Sequence, residues 1–425
     1  MLEIARLRQH PEEFAAALTR KGVKEAGSLV NQILELDERR RSLVTEVDGL
    51  RQQMNLASKS VGALMAQGKK EEAETAKAQT AADKARIKEL EDELVPIEAA
   101  SYELFVQLPN KPHDSVPTGK TAEDNAVVGE NKKVVEFGFA ALPHWELARK
   151  HDIIDWELGV KITGAGFPVY RGKGAILQRA LITFFLDRAR LAGYEEIMPP
   201  LMVNEASGFG TGQLPDKEGQ MYAIERDGFY LIPTAEVPIT NLYRDVILEE
   251  KNFPIKNCGY TPCFRREAGS YGKDVKGLNR LHQFDKVELV QITHPDKSYE
   301  TLEDMTTYVE SLLEALELPW RRLLLCTGDM SFASAKTFDL EVWSAAQERW
   351  LEVSSVSNFE TFQTNRLKLR YRDEEKKTQL AHSLNGSALA LPRIVASLLE
   401  NHQQEDGSIL IPEALRPFTG FDKIG

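Results

Sequence analysis

From Ile33 onward the apolar positions step by three and four: Ile33, Leu36, Arg40, Leu43, Val47, Leu50, Met54, Ala57, Val61 and Leu64, with Arg40 as a polar interruption. That spacing marks a helix burying a narrow stripe against another helix. The pattern breaks at Gln67-Gly68-Lys69-Lys70 and resumes from about Glu71 to Leu104, where Ile87, Leu90, Leu94 and Ile97 keep the same interval. Two long helices around one short turn predict an antiparallel coiled-coil hairpin over about residues 28–104, reaching about 50 Å at ~1.5 Å per residue. Ala73, Ala76, Thr80 and Asp83 make a weak seam beside the turn and predict a mobile tip. Pro96 predicts a kink near the far end of the second helix.

Past the hairpin the texture changes. Residues 107–133 carry prolines, many charges and few large apolar side chains, which reads as a linker or an extended strap. The expected division is an N-terminal domain over 1–108, a linker or strap over 109–133 and a second domain over 134–425. In the latter, Ile176, Leu177, Ala180, Leu181, Phe184 and Phe185 line one face of a helix over Gly174–Ala192, followed by Gly193 and an extended run from Tyr194 to Leu201. A helix is expected to start near Thr234-Ala235-Glu236, with Pro238 in its first turn. Residues 351–359 read as a strand. Asn385-Gly386 reads as a turn into a small-residue strand, with a helix over Ile394–Glu400 behind it.

The chain has 425 residues, enough for two or more domains. Its 42% hydrophobic and 28% charged content fits a soluble globular protein. No apolar run approaches the ~20 residues of a membrane helix, and the first residues lack the basic-then-apolar order of a secretory signal. Cys258, Cys263 and Cys326 form no C-x-x-C pair, so neither disulfides nor a structural zinc is expected and a reducing cytoplasm fits. A net charge of −12 argues against a general nucleic-acid coat. Yet Lys59, Lys69 and Lys70 sit at the hairpin tip, and no acid falls between Met54 and Lys70. A basic tip on an acidic protein is a candidate phosphate contact, although long coiled coils also serve as spacers or oligomerisation devices.

The densest chemistry lies between Phe264 and Glu288, FRREAGSYGKDVKGLNRLHQFDKVE. Alternation along strands places Arg265 with Glu267 on one face, and Phe284, Lys286 and Glu288 on one face of the returning strand, around a loop with Gly269, Gly272 and Gly277. An arginine fork, an aromatic plate and carboxylates suit a nucleotide. Alternation alone also fits a solvated, salt-bridged hairpin. Class I signatures and a P-loop are absent; Gly208-Phe209-Gly210-Thr211-Gly212 has no following Gly-Lys and reads as a flap.

The order of these 25 residues resembles motif 2 of class II aminoacyl-tRNA synthetases, and its GLNRLHQFDKVE ending is similar to the seryl-tRNA synthetase version. The helix and strand around Gly193 resemble motif 1, and Asn385–Arg393 resembles motif 3. The resemblance implies an α+β fold: the coiled-coil arm plus a class II catalytic domain on a mainly antiparallel sheet, assembled as a homodimer. It implies activation of L-serine with ATP to seryl-adenylate and transfer to serine tRNA, with selenocysteine tRNA left open as a second acceptor. No membrane or DNA partner is implied. By resemblance Arg265, Glu267 and Arg393 carry catalysis, and Thr234, Ala235, Glu236, Glu288, Asn385 and Ser387 hold serine. Arg265, Arg266, Glu267, Leu281, Phe284, Glu352, Val353, Ser354, Ser355 and Arg393 border ATP, with Mg²⁺ on Glu352 and Ser355. The arm, through Lys59, Lys69 and Lys70, would grip the tRNA. The chain has Thr364-Asn365 where many relatives have Ala-Arg, and Ser383 in place of a threonine. A silent paralogue that binds tRNA or a partner through the arm, and a ligase loading a carrier protein, are the competing readings.

Overall fold

The computed structural model describes residues 1–131, 134, 136–268 and 276–425; the expectations for Gly269 and Gly272 lie outside the described residues. The chain divides into two compact units, Met1–Pro109 and Asn110–Gly425.

In the first unit, helices α1 (Ala26–Ala66) and α2 (Lys70–Phe105) form the hairpin. Every seam position predicted from the sequence is buried or half-buried, from Ile33 through Leu64 and from Ala73 through Ile97. Leu43, Val47, Ile87, Leu90 and Ile97 form its core. The seam also buries a carboxylate: Asp37 takes Arg8 and Arg41 Nε at 3.0 Å each, with Arg40 3.5 Å away. Arg40 thereby interrupts the stripe at the cost of pairing one acid. Across the hairpin Arg39 reaches Glu93 at 2.6 Å, and α2 runs unbroken through Pro96.

The second unit is built on an eight-stranded sheet: β1 (Ala126–Glu130), β2 (Glu195–Glu196), β3 (Ile255–Phe264), β4 (Gln283–Thr293), β5 (Trp320–Leu324), β6 (Lys336–Ser344), β7 (Arg349–Asn358) and β8 (His382–Ala390). Their spatial order is β1-β5-β6-β7-β8-β4-β3-β2, antiparallel except where β2 runs parallel to β3. The extended run expected after Gly193 is thus only two residues of strand. Helices α3 (Gly172–Leu191), α5 (Ser298–Ala315) and α6 (Leu391–Asn401) pack on the sheet. Phe184, Phe185, Met305, Val309, Ile394 and Leu398 share one core with Leu289 and Val356 of the central strands. Between β2 and β3 in sequence, the short helix α4 (Glu236–Asn241) starts at the Thr-Ala-Glu step, with Pro238 in its first turn.

The strap departs from a loose linker. Asn110 and His113 donate backbone bonds to Phe332 and Ala335 at 2.9 and 2.8 Å, and the segment continues into β1, the sheet edge beside β5. Asn385-Gly386 is no turn. Both residues lie inside central strand β8, where Gly386 faces Val356 and Leu289 in the two neighbouring strands. The 208–212 glycines close a short helix, Glu205–Thr211, capped by Gly212 at φ 98°. The three cysteine thiols are buried and unpaired.

Candidate active site

Strand β4 lies between β3 and β8, and its two-residue period sends Lys286 and Glu288 to one face. There Glu288, fully buried, receives Lys286 Nζ at 2.6 Å, Asn385 Nδ2 at 3.1 Å and Ser387 Oγ at 3.3 Å. Asn385 and Ser387 can both reach it because they are two apart on β8, opposite Val290 and Glu288. Lys286 Nζ also donates to Thr234 Oγ1 at 2.8 Å, which in turn accepts from Glu236 N at 3.3 Å. A buried carboxylate needs such partners, and this one holds a cation and two neutral donors.

Glu236 is buried close by. Burial, reinforced by the neighbouring Glu288 charge, pushes its carboxyl up to about 7. Its Oε1 accepts from Gln363 Nε2 at 2.6 Å, and Gln363 is itself held by Thr211 O at 3.1 Å and Ser383 Oγ at 2.7 Å. Thr234, Glu236, Glu288, Asn385 and Ser387 are therefore joined through Lys286 in one buried hydrogen-bonded group, whereas Ala235 packs beside it in an apolar cluster with Ile239 and Val290.

Beside it stands Arg265. Strand β3 ends at Phe264, so the alternation expected to carry on through Glu267 does not; Glu267 turns at φ 48° and pairs with Arg280 at 3.0 Å. Arg265 Nε donates to Pro233 O at 3.3 Å, and its guanidinium lies 5.2 Å from the Phe284 ring centroid. Arg266 faces outward, its backbone N–H tied to Gln220 O at 2.8 Å. On the first turn of α6, Arg393 donates from Nε to Asn279 O at 3.1 Å and from Nη1 to Glu352 O at 2.6 Å. His282 O accepts from Arg265 N at 2.9 Å. The returning segment is thus bound by the Arg393 guanidinium at Asn279 O and by the Arg265 main chain at His282 O, while the Arg265 guanidinium itself turns to Pro233 O.

Glu352 and Ser355 are three apart on β7, a spacing that would put them on opposite faces. A bulge restores them: Leu340 pairs with Ser354 but Glu341 with Glu352, so Val353 is the extra residue. Opposite Ser355 sits Asp339. Burial and the nearby Glu352 hold its carboxyl well above the usual range against a hydrogen bond from Ser355, and its Oδ1 has no hydrogen-bond partner among the described residues. Val353 and Leu281 are core side chains, and Ser354 Oγ bonds to Ser387 O at 2.6 Å. Those three can offer a nucleotide only their backbone. In the other unit Lys59 and Lys70 are exposed at the hairpin tip, and Lys69 lies 3.2 Å from Glu72.

Gln363 and Asp339 were not singled out from the sequence as site residues, and Lys286 was singled out only as a charged group on the Glu288 face of its strand. Lys286 shares the period-two face with Glu288, and Asp339 alternates with apolar residues in its strand, so both left a local trace. Gln363 left none: it reaches Glu236 only through the fold.

Residues 1–112 match the seryl-tRNA synthetase N-terminal domain, and residues 222–402 the tRNA synthetase class II core domain (G, H, P, S and T). The chain is 56% identical to the serine–tRNA ligase of Salinibacter ruber, covering 100% of this chain and 99% of that one. The seryl-tRNA synthetase of Pyrococcus horikoshii, solved in complex with ATP, superposes with a TM-score of 0.93 at 34% identity, covering 100% and 99% of the two chains. The cytoplasmic serine–tRNA ligase of Naegleria fowleri, in complex with AMP, does so with 0.87 at 27%, covering 100% and 98%.

Proposed function

Because the chain belongs to the seryl-tRNA synthetases of class II, we propose a division of labour among its residues for activating L-serine with ATP and passing the serine to the 3′ end of its tRNA. The observation that carries the assignment is that one strand, β4, bears both Phe284, with the Arg265 guanidinium 5.2 Å from its ring centroid, and the buried Glu288 with its Lys286, Asn385 and Ser387 partners.

The polar group around Glu288 takes serine. Glu288 receives the ammonium in a site where it already accepts three hydrogen bonds, while Asn385, Ser387, Thr234 and Glu236 surround the rest of the small side chain. A pocket built to hydrogen-bond a hydroxyl rejects an analogue lacking it by ~10⁴-fold or more. Arg265 holds the α-phosphate as the serine carboxylate oxygen attacks. The new O–P bond forms, the α–β bridge breaks, and its electron pair leaves on pyrophosphate toward Arg393. Phe284 supplies the stacking face for adenine, with Glu267 at its amino edge. In the second step a hydroxyl of the terminal adenosine attacks the seryl carbonyl and AMP leaves. Positioning and charge stabilisation carry both steps without an enzyme-bound covalent intermediate.

Glu352 and Ser355 offer hard oxygens of the kind Mg²⁺ prefers, and Asp339 Oδ1 next to them lacks a partner among the described residues. The donor set fits a cation held jointly by protein and triphosphate. Mg²⁺ there would neutralise charge on the phosphates. The exposed Leu191 and Met198, on the segment resembling motif 1, support a homodimer. The arm binds tRNA through its tip, and a cytoplasmic location suits both substrates. A silent paralogue is not favoured, since Arg265, Glu267, Glu288, Glu352 and Arg393 are all present.

Serine-dependent ATP–pyrophosphate exchange tests the assignment. Arg265→Ala and Arg393→Ala are each expected to lower exchange about 100-fold, the usual effect of removing one charge-stabilising donor. Wild-type exchange with either variant would remove that arginine from the reaction.

A further inference from the structure

Arg393 is held by a carbonyl, and that carbonyl is gripped from inside the protein. The acceptor is Asn279 O. One residue earlier, Leu278 donates its N–H to Nε2 of His144 at 2.9 Å. Because Nε2 accepts, the ring proton sits on Nδ1, which lies 2.7 Å from Glu400 Oε1. His144 and Glu400 are both fully buried. The other Glu400 oxygen accepts from Ser344 Oγ and, at 3.3 Å, from Ala346 N. Gln347 Nε2 binds Ser344 Oγ at 2.9 Å, and Gln347 Oε1 accepts from Asn279 Nδ2 at 3.0 Å. Asn279 is therefore fixed twice, through its main-chain neighbour and through its own side chain. Gly277 shows how tightly the chain crosses the ring: its φ is +67°, and a Cβ there would lie 2.2 Å from His144 Nε2.

This cluster has the residue types of a hydrolytic triad but not the arrangement. Both ring nitrogens are already used, and the serine hydroxyl faces the glutamate instead of the histidine. No proton acceptor is left for a nucleophile.

We propose that His144 and Glu400 are a positioning pair for Arg393, setting the Asn279 carbonyl and through it the guanidinium that receives the triphosphate. The inference rests on the reading of Arg393 as a phosphate ligand. It assigns a part in catalysis to residues that touch neither substrate.

Two near-isosteres separate positioning from mere packing. His144→Gln places an oxygen near the Nε2 position and keeps the acceptor for Leu278 N–H. His144→Asn keeps an amide donor for Glu400 near Nδ1 and leaves Leu278 N–H buried without an acceptor. In the exchange assay His144→Asn is expected to raise KM for ATP about tenfold, with KM for serine unchanged, and His144→Gln to restore most of it. Equal losses in both variants that follow their melting temperatures, or an unchanged KM for ATP in His144→Asn, would overturn the proposal. If His144→Asn does not fold, Gln347→Ala removes the second grip together with its bonds to Ser344 and Glu400; a severalfold rise in KM for ATP supports positioning through Asn279 and no rise refutes it. Arg393→Ala is run alongside. If it leaves KM for ATP and exchange untouched, the phosphate assignment fails, a result distinct from failure of the pair.

Discussion

Glu236 is the side chain whose protonation most affects the proposed serine site. Its folded carboxyl titrates at about 7 instead of 4.5, first because it is buried and then because Glu288 is near. An acid with a raised folded value holds its proton longer folded than unfolded, so the folded state binds more protons through that interval. Stability conferred by the protonated form is complete below about 4.5 and is lost as pH rises to about 7. Glu236→Gln, which keeps the oxygen that Gln363 binds, is therefore expected to flatten the fall in melting temperature between pH 5 and pH 8 seen in the wild type. An equally steep fall in the variant would refute the assignment. At this scale the sequence was legible where a charge must be conspicuous to work: Glu288 and Arg393 each interrupt an apolar or small-residue pattern, and Arg265 opens a charged run directly after an apolar strand end. Gln363 and His144 were not, because their partners come from 127 and 256 residues away along the chain and no local spacing encodes such a meeting.

Among the secondary-structure elements, the strands carry information that residue order alone hides. Glu352 and Ser355 share a face because of one extra residue in β7, a bulge with no Gly or Pro to announce it. The Asn385-Gly386 pair looks like a turn, yet the glycine is required by packing: a Cβ there would lie 3.1 Å from Val356 Cγ1. Gly386→Ala is expected to cost about 1–2 kcal/mol in chemical denaturation, as overpacking of a central strand does; an unchanged midpoint would show that Val356 can move aside. The helical arm was the most legible element, since a three–four seam directly states which side chains meet. Leu90 lies in that seam and is 1% exposed. Leu90→Ala is expected to destabilise the hairpin by about 2–4 kcal/mol, raising KM for tRNA while pyrophosphate exchange keeps its rate. A matching loss of exchange would contradict the separation of tasks.

For the whole molecule, two compact units imply two separable activities. Deleting residues 40–95 is expected to abolish charging of serine tRNA while sparing serine-dependent exchange; loss of both would show that the catalytic unit depends on the arm. Binding through a basic tip also predicts that tRNA affinity falls steeply with added salt, and that Lys59→Ala with Lys70→Ala reduces the slope of that dependence. The helical pattern ends some way before Pro109, where the two units part. That the following strap builds the sheet edge was not legible, since its short strand Ala126–Glu130 gains its stability only from pairing with β5.

The sheltered thiols have a practical consequence. Burial pushes the Cys258 sulfhydryl up to about 12 and raises that of Cys263 as well, and Cys326 is equally enclosed. Alkylating dyes should therefore leave the native protein unmarked. A Lys59→Cys substitution at the exposed tip would then offer the sole reactive handle, so that a fluorophore placed there could report the approach of a tRNA in real time.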